Sequence, residues 1–200
     1  MSVPIPMSMR LVPLILAFAA GAVCAGMPAP DFTLADTSGK AVKLSDFRGK
    51  YVVLEWTNPE CPFVRKHSNS GNMQGLQKEW GARDVVWLTV NSTNSSSYEY
   101  KSPQQMGEWM QAKDAAPRAA LVDATSATGR AYGAKTTPHM FVVGPDGKLI
   151  YSGAVDDRRS SNPADAKAAN NYVRAALTEA LAGKPVTVAS TTPYGCSVKY

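Results

Sequence analysis

Hydrophobic and polar positions alternate along this chain in blocks whose lengths suit strands and helices in turn. DFTLADTSGKAVKLSDFRGK (31–50) places two short half-apolar runs around Ser38-Gly39, the pattern of two strands joined by a turn. YVVLEW (51–56) is nearly continuous in apolar residues, as expected of a strand covered on both faces of a parallel sheet. Pro62 then suits the first turn of a helix, where its missing N–H costs nothing. A break is expected near Ser70-Gly71 before MQGLQKEW resumes the helical pattern. DVVWLTVNS (84–92) and AALVD (119–123) read as two further strands. Between them a polar loop leads into a helix over 104–113, with Ser102 as its N-cap. SATGRAYGA is a small helix closing at Gly133, and HMFVVGPDGKLIYSG a hairpin turning at Pro-Asp-Gly. From 163 to 181 alanine-rich helical spacing predicts one helix, and KPVTVASTTPYGCSVKY predicts an irregular, mobile tail. Strands alternating with helices and closing in an antiparallel hairpin give an α/β fold with a mixed sheet.

The first 25 residues stand outside this scheme. Arg10 is followed by an uncharged run from Leu11 to Val23 and then small residues, with Val23 and Ala25 at the −3 and −1 positions of a signal-peptide cleavage site. The run is shorter than the ~20 residues a bilayer span requires. The expected organisation is a leader over 1–25, one domain over 26–183, and a tail over 184–200. The product would be periplasmic or secreted and not held in the membrane after cleavage. Loss of Arg10 takes the formal charge from +5 to +4. The remaining bases are scattered rather than run together with aromatics, which gives no support for nucleic-acid binding.

Cys24 leaves with the leader, so Cys61 and Cys196 are the thiols of the mature chain. In an exported protein such a pair is most often a structural disulfide or a redox couple. Cys61 lies between a buried strand and a helix-opening proline, where a sulfur faces the positive end of the helix dipole. Thiolates are stabilised at helix N-termini and beside cations, and Arg65 and Lys66 follow one turn on. The alternative is a cysteine that only packs. Pro138, preceded by Thr136 and Thr137, opens the strand at His139.

These segments together resemble the thioredoxin-fold redoxin superfamily, in its peroxiredoxin-like branch near alkyl hydroperoxide reductase and thiol-specific antioxidant proteins. DFTLADTSGKAVKLSDFRGKYVVLEW is similar to that family's amino-terminal hairpin and first core strand. Cys61 matches its active-site cysteine. TGRAYGAKTTPHMFVVGPDGKLIYSG resembles the segment whose cis-proline, here Pro138 after Thr137, lies beside that cysteine. The implied fold is thioredoxin-like, with a mixed central sheet flanked by helices and an N-terminal β-hairpin extension. The implied activity is that of a thiol oxidoreductase in which Cys61 attacks a peroxide or a protein disulfide. A thioredoxin-like protein or small thiol would supply electrons, and no cofactor or metal is called for.

Departures from the family shape this expectation. Val64 stands where thioredoxins carry their second cysteine, so CPFV is no self-contained dithiol. The peroxiredoxin pattern Pro-x-x-x-Thr-x-x-Cys meets Leu54 and Asn58, with Thr57 and Pro59 close but shifted; Thr57, Asn58 and Arg65 are the remaining candidates to hold a peroxide. The partner for an oxidised Cys61 would be Cys196, acting as a resolving thiol. Otherwise the two form a static staple, worth roughly 5 kcal/mol in the chain-entropy model. A copper-binding reading would join these thiols to His67 or His139, both otherwise expected as solvated or hydrogen-bonded surface residues. Asp156-Asp157-Arg158-Arg159 reads as a solvated loop of paired charges. Glu55 lies inside the buried strand, and thioredoxin-like sites often hold a buried acid that passes protons to the cysteine.

Overall fold

A computed structural model describes residues 25–200, so the expected leader lies, except for Ala25, outside the described residues. Nine strands and five α-helices follow in the order β1 (Thr33–Asp36), β2 (Ala41–Lys43), β3 (Val52–Trp56), α1 (Pro62–Asn69), α2 (Asn72–Gly81), β4 (Val86–Asn91), α3 (Pro103–Ala112), β5 (Ala119–Val122), α4 (Ala127–Tyr132), β6 (Thr136–Thr137), β7 (His139–Val143), β8 (Leu149–Gly153), α5 (Tyr172–Leu181) and β9 (Cys196–Ser197). Seven strands form one sheet in the order β2-β1-β5-β4-β3-β7-β8, and β6 pairs separately with β9. β3, β4 and β5 run parallel, while the β1, β7 and β8 pairings are antiparallel. The sheet is therefore mixed, as the sequence implies. Among the described residues no helix is long and apolar enough to cross a membrane.

The central strands are buried on both faces, which is why their sequences are continuous apolar runs. Leu54, Trp56, Leu88, Val90 and Phe141 contribute to one core, closed by the N-terminal residues Ala29, Phe32 and Leu44 and by Tyr132 of α4. On the opposite face Val53, Trp87, Met140 and Val142 meet Met73, Leu76 and Trp80 of α2 and Val173 and Leu177 of α5. Each apolar β3 residue feeds one core or the other by strand alternation, Val52, Leu54 and Trp56 the first and Val53 the second.

Local signals account for most boundaries. Gly71 takes the left-handed conformation at φ 74° that separates α1 from α2. Ser102 caps α3 in a reciprocal capping box with Gln105. Two expectations fail. The helix over 163–181 is split into a 3-10 turn over Pro163–Lys167 and α5. Asn170 is held by both carboxylate oxygens of Asp157, and the Asn171 side chain accepts from the Arg174 N–H as a new N-cap. The C-terminal segment is not loose: it lies across the molecule, with β9 paired to β6 and backbone bonds from Val198 N–H to Lys135 O and from Asn94 N–H to Lys199 O.

Leu54 is fully buried in the central strand. Leu54→Ala is expected to lower stability by about 3 kcal/mol in urea unfolding; a loss under about 1 kcal/mol would show that β3 is not the centre of the core.

Candidate active site

The site forms where β3 ends. Trp56, its last residue, pairs with His139, the first residue of β7. Because the two strands are antiparallel, the chain leaving β3 faces the chain entering β7. Cys61 is thus brought to Thr137 and Pro138. The Thr137–Pro138 bond is cis, and the Cys61 thiol donates to the Thr137 carbonyl at 2.9 Å. Cys61 is the N-cap of α1 with Pro62 in the first turn, and its own N–H donates to Asn58 O at 3.0 Å. It is only 1% exposed.

Cys196 comes from the far end of the chain to the same place. In the β6–β9 ladder it is the register partner of Thr137, the residue whose carbonyl receives the Cys61 thiol. Both cysteines are free thiols. Burial pushes the Cys196 thiol up to about 12, with the hydrogen bond and proximity to Cys61 adding to the shift. The structure therefore brings together four of the five sequence candidates: Cys61, Cys196, Thr137 and Pro138. Arg65 is different. Its Nε donates to Pro59 O at 2.8 Å and its Nη2 pairs with Glu60 at 2.6 Å, so it braces the turn before Cys61 and makes no hydrogen bond to the thiol. Asn58 is likewise committed, with its amide donating to Glu99 and Thr93 and its oxygen accepting from the Glu60 N–H. The hydroxyls of Thr57 and Thr137 are buried without a hydrogen-bond partner.

Several charges lie elsewhere than expected. Asp156 is 1% exposed rather than solvated, and Lys66 is fully buried. Lys66 Nζ donates to both Asp156 oxygens at 3.2 and 3.1 Å, to Arg158 O at 2.6 Å and to the Tyr194 hydroxyl at 3.0 Å. A charge on the inner side of a short helix can be buried only with such partners. Both histidines are buried rather than at the surface. His67 Nδ1 accepts from the Asn72 amide at 2.8 Å, leaving its Nε2 proton toward Tyr194 and Asp156. Burial lowers His67 to about 4, against the opposing pull of Asp156, and lowers His139 to about 3. His139 Nδ1 accepts from the Lys135 N–H. Among the described residues no group of three or more His, Cys, Asp or Glu is placed to hold a metal.

Glu55 faces the helical layer. Trp87 Nε1 and Gln77 Nε2 donate to one of its oxygens at 2.9 and 3.2 Å, and it lines a cavity of about 10 Å³ with Val64, Met73 and Gln77. That is room for about one water. Val64, which stands where a Cys-x-x-Cys pair has its second cysteine, thus lines the same cavity as the buried acid. Burial raises Glu55 to about 7 despite the two donors.

Comparison with known proteins bears on the family and the fold. The AhpC/TSA family matches residues 25–152, more than half of the chain. The chain belongs to that family. It is similar to the thiol-disulfide oxidoreductase ResA of Bacillus subtilis (strain 168), at 26% identity over 125 residues, 62% of this chain and 64% of ResA. The chain thus spans less than two thirds of that relative's length. Among solved structures, an uncharacterized conserved protein from Geobacillus kaustophilus superposes with a TM-score of 0.78 at 29% identity, covering 88% of this chain and 92% of the other. A hypothetical protein from Sinorhizobium meliloti 1021 superposes at 0.77 and 24% identity, over 90% and 96% of the two chains. The fold of this AhpC/TSA protein is thioredoxin-like.

The Glu55 shift fixes a pH dependence. Its folded value lies above the ordinary 4.5, so the folded state holds its proton more tightly. Stability relative to Glu55→Gln should be greatest below pH 4.5 and fall by about 3 kcal/mol as pH rises through 7. Chemical denaturation of both proteins from pH 4.5 to 8 checks this; a pH-independent difference would mean that Glu55 is not a buried proton carrier.

Proposed function

We propose that this protein is an exported thiol oxidoreductase in which Cys61 is the nucleophile and Cys196 the resolving thiol. The observation that carries this reading is the convergence of the two cysteines on one residue. Cys61 donates its thiol proton to the Thr137 carbonyl, and Cys196 is the ladder partner of the same threonine. Two thiols 135 positions apart in sequence, brought to one strand edge, suit reversible disulfide formation.

Disulfide exchange is the favoured chemistry. Cys61, as thiolate, attacks one sulfur of a substrate disulfide, forming a mixed disulfide and releasing the other sulfur as a thiolate that takes up a proton. Cys196, deprotonated, then attacks the Cys61 sulfur, expelling the remaining substrate thiol and leaving an internal disulfide. A thiol donor, of thioredoxin-like or small-molecule type, returns both cysteines to the reduced state. Peroxide is less well served. Of the three candidates to bind it, the Asn58 and Arg65 side chains are engaged in the loop itself, and the Thr57 hydroxyl alone is without a partner. Glu55, raised to about 7 and sharing a small cavity with Val64 of α1, is the buried acid this reading assigns to take and return the proton. ResA, a thiol-disulfide oxidoreductase by name, supports the same direction. Export rests on the sequence of residues 1–25, with the domain continuing to 183 and the tail serving as the carrier of the second thiol.

Cys61→Ser should abolish reduction of an insulin disulfide, lowering the rate at least ~100-fold. Cys196→Ser should still react once and then accumulate as a mixed disulfide through Cys61. Peroxide consumption measured on the same proteins separates the two substrate classes, with a clear excess of disulfide over peroxide turnover expected. Equal activity of wild type and Cys61→Ser in both assays rules the enzyme reading out.

A further inference from the structure

The stretch Tyr194-Gly195-Cys196 is built to dock. Tyr194 is 5% exposed, and its ring meets Phe63 of α1 edge-on at 5.8 Å between centroids. Its hydroxyl enters the buried cluster around Lys66. It accepts from Lys66 Nζ at 3.0 Å, donates to Asp156 Oδ1, and lies 3.5 Å from His67 Nε2. Every one of these partners is itself buried: Lys66 and His67 completely, Asp156 to 1%. Lys66 and His67 belong to the helix that Cys61 caps. The anchor of the tail and the nucleophile are thus mounted on one rigid element.

Gly195 does the complementary work. It has φ +143°, and a Cβ built there would fall 2.0 Å from the Thr137 carbonyl oxygen and 2.7 Å from its carbon. Only glycine lets the tail backbone come this close to the residue that holds the Cys61 thiol. The next residue is Cys196, in register with Thr137. A hydroxyl fixed on one side and a glycine seated on the other leave Cys196 little choice of position.

We propose that Tyr194, through its hydroxyl in the Lys66–Asp156–His67 cluster, is a positioning residue that seats Cys196 against Cys61. The proposal rests on the thiol-pair reading above and deepens it. Without the anchor the tail residues just before Cys196 must find their seat anew at each encounter; with it, that ordering is done once, on folding. A buried, charge-assisted hydrogen-bond set is stronger than a neutral one, and removal of one hydroxyl from it alters an equilibrium by roughly tenfold or more.

Two readouts on the full mature chain test this. In glutathione buffers the two thiols pass two electrons and two protons to one oxidised glutathione, giving the internal disulfide and two reduced glutathiones. The equilibrium constant measures the effective concentration of Cys196 at Cys61. Tyr194→Phe keeps the ring on Phe63 and should lower that concentration roughly tenfold, with its thermal midpoint and near-ultraviolet spectrum confirming a native fold. In the fully reduced protein, alkylation of Cys196 by iodoacetamide should be at least ~10-fold faster in Tyr194→Phe, because an unseated thiol returns from about 12 toward the ordinary range. Gly195→Ala, which leaves the buried cluster untouched, should act in the same direction on both readouts. Natively folded Tyr194→Phe with both readouts unchanged overturns the positioning role while leaving the thiol pair intact. Faster Cys196 alkylation in the variant, alongside a wild type that forms no internal disulfide at any glutathione ratio, upholds the seat and overturns the pair.

Discussion

Everything at the site depends on the antiparallel pairing of β3 with β7. Once Trp56 is opposite His139, the loop leaving β3 and the loop entering β7 are forced to share one end of the sheet. That register, set by buried apolar side chains on both faces, decides that Cys61 meets the Thr137 carbonyl. A slip of one residue would turn Leu54 and Trp56 out of one core and Val53 out of the other. The geometry of the candidate site is therefore maintained by hydrophobic burial some distance from the sulfur, and the helix start and proline refine a meeting already fixed by the sheet.

The Lys66–Asp156 pair obeys a different logic. Taking both ions out of water is costly, and apolar residues of similar size would often stabilise a fold as well or better. Here the cost is offset by additional partners: the Arg158 carbonyl and the Tyr194 hydroxyl complete the lysine's contacts, and Tyr194 and the Arg158 N–H complete the aspartate's. A cluster that needs Tyr194 to be satisfied specifies where the tail must lie, which greasy packing would do less sharply. The buried ion pair thereby connects the energetics of the core to the place of the second thiol.

The sequence made the fold legible because its signals are local or periodic. Continuous apolar runs marked β3 and β4, Gly71 and Ser102 marked helix boundaries, and Cys61 before Pro62 marked the strand-to-helix corner. The site was legible as residues but not as a closed arrangement. β6 and β9 are two residues each, too short for any alternation to register, and they pair across some sixty positions. The tail's proline, glycine and small polar residues suggested mobility, whereas its order comes from long-range partners. His67 and Asp156 looked like surface residues, and Lys66 like a cation serving Cys61, because nothing in a local pattern shows that three polar groups will be buried against one another. Asn170 and Asn171 divided a helix that alanine content alone would have continued. The one hint to the docked tail was Gly195 immediately before Cys196, whose meaning appears only when Thr137 is known to lie against it.

Identification of the sulfur that Cys61 bonds to when it is first oxidised is the most direct test of this picture. The reduced protein, treated with one equivalent of diamide, digested without reduction and mapped by mass spectrometry, should yield a single dominant peptide pair joined through Cys61 and Cys196. Cys61 linked to a second copy of the chain or oxidised alone, with Cys196 still free, would contradict the account of the tail as the carrier of its partner thiol.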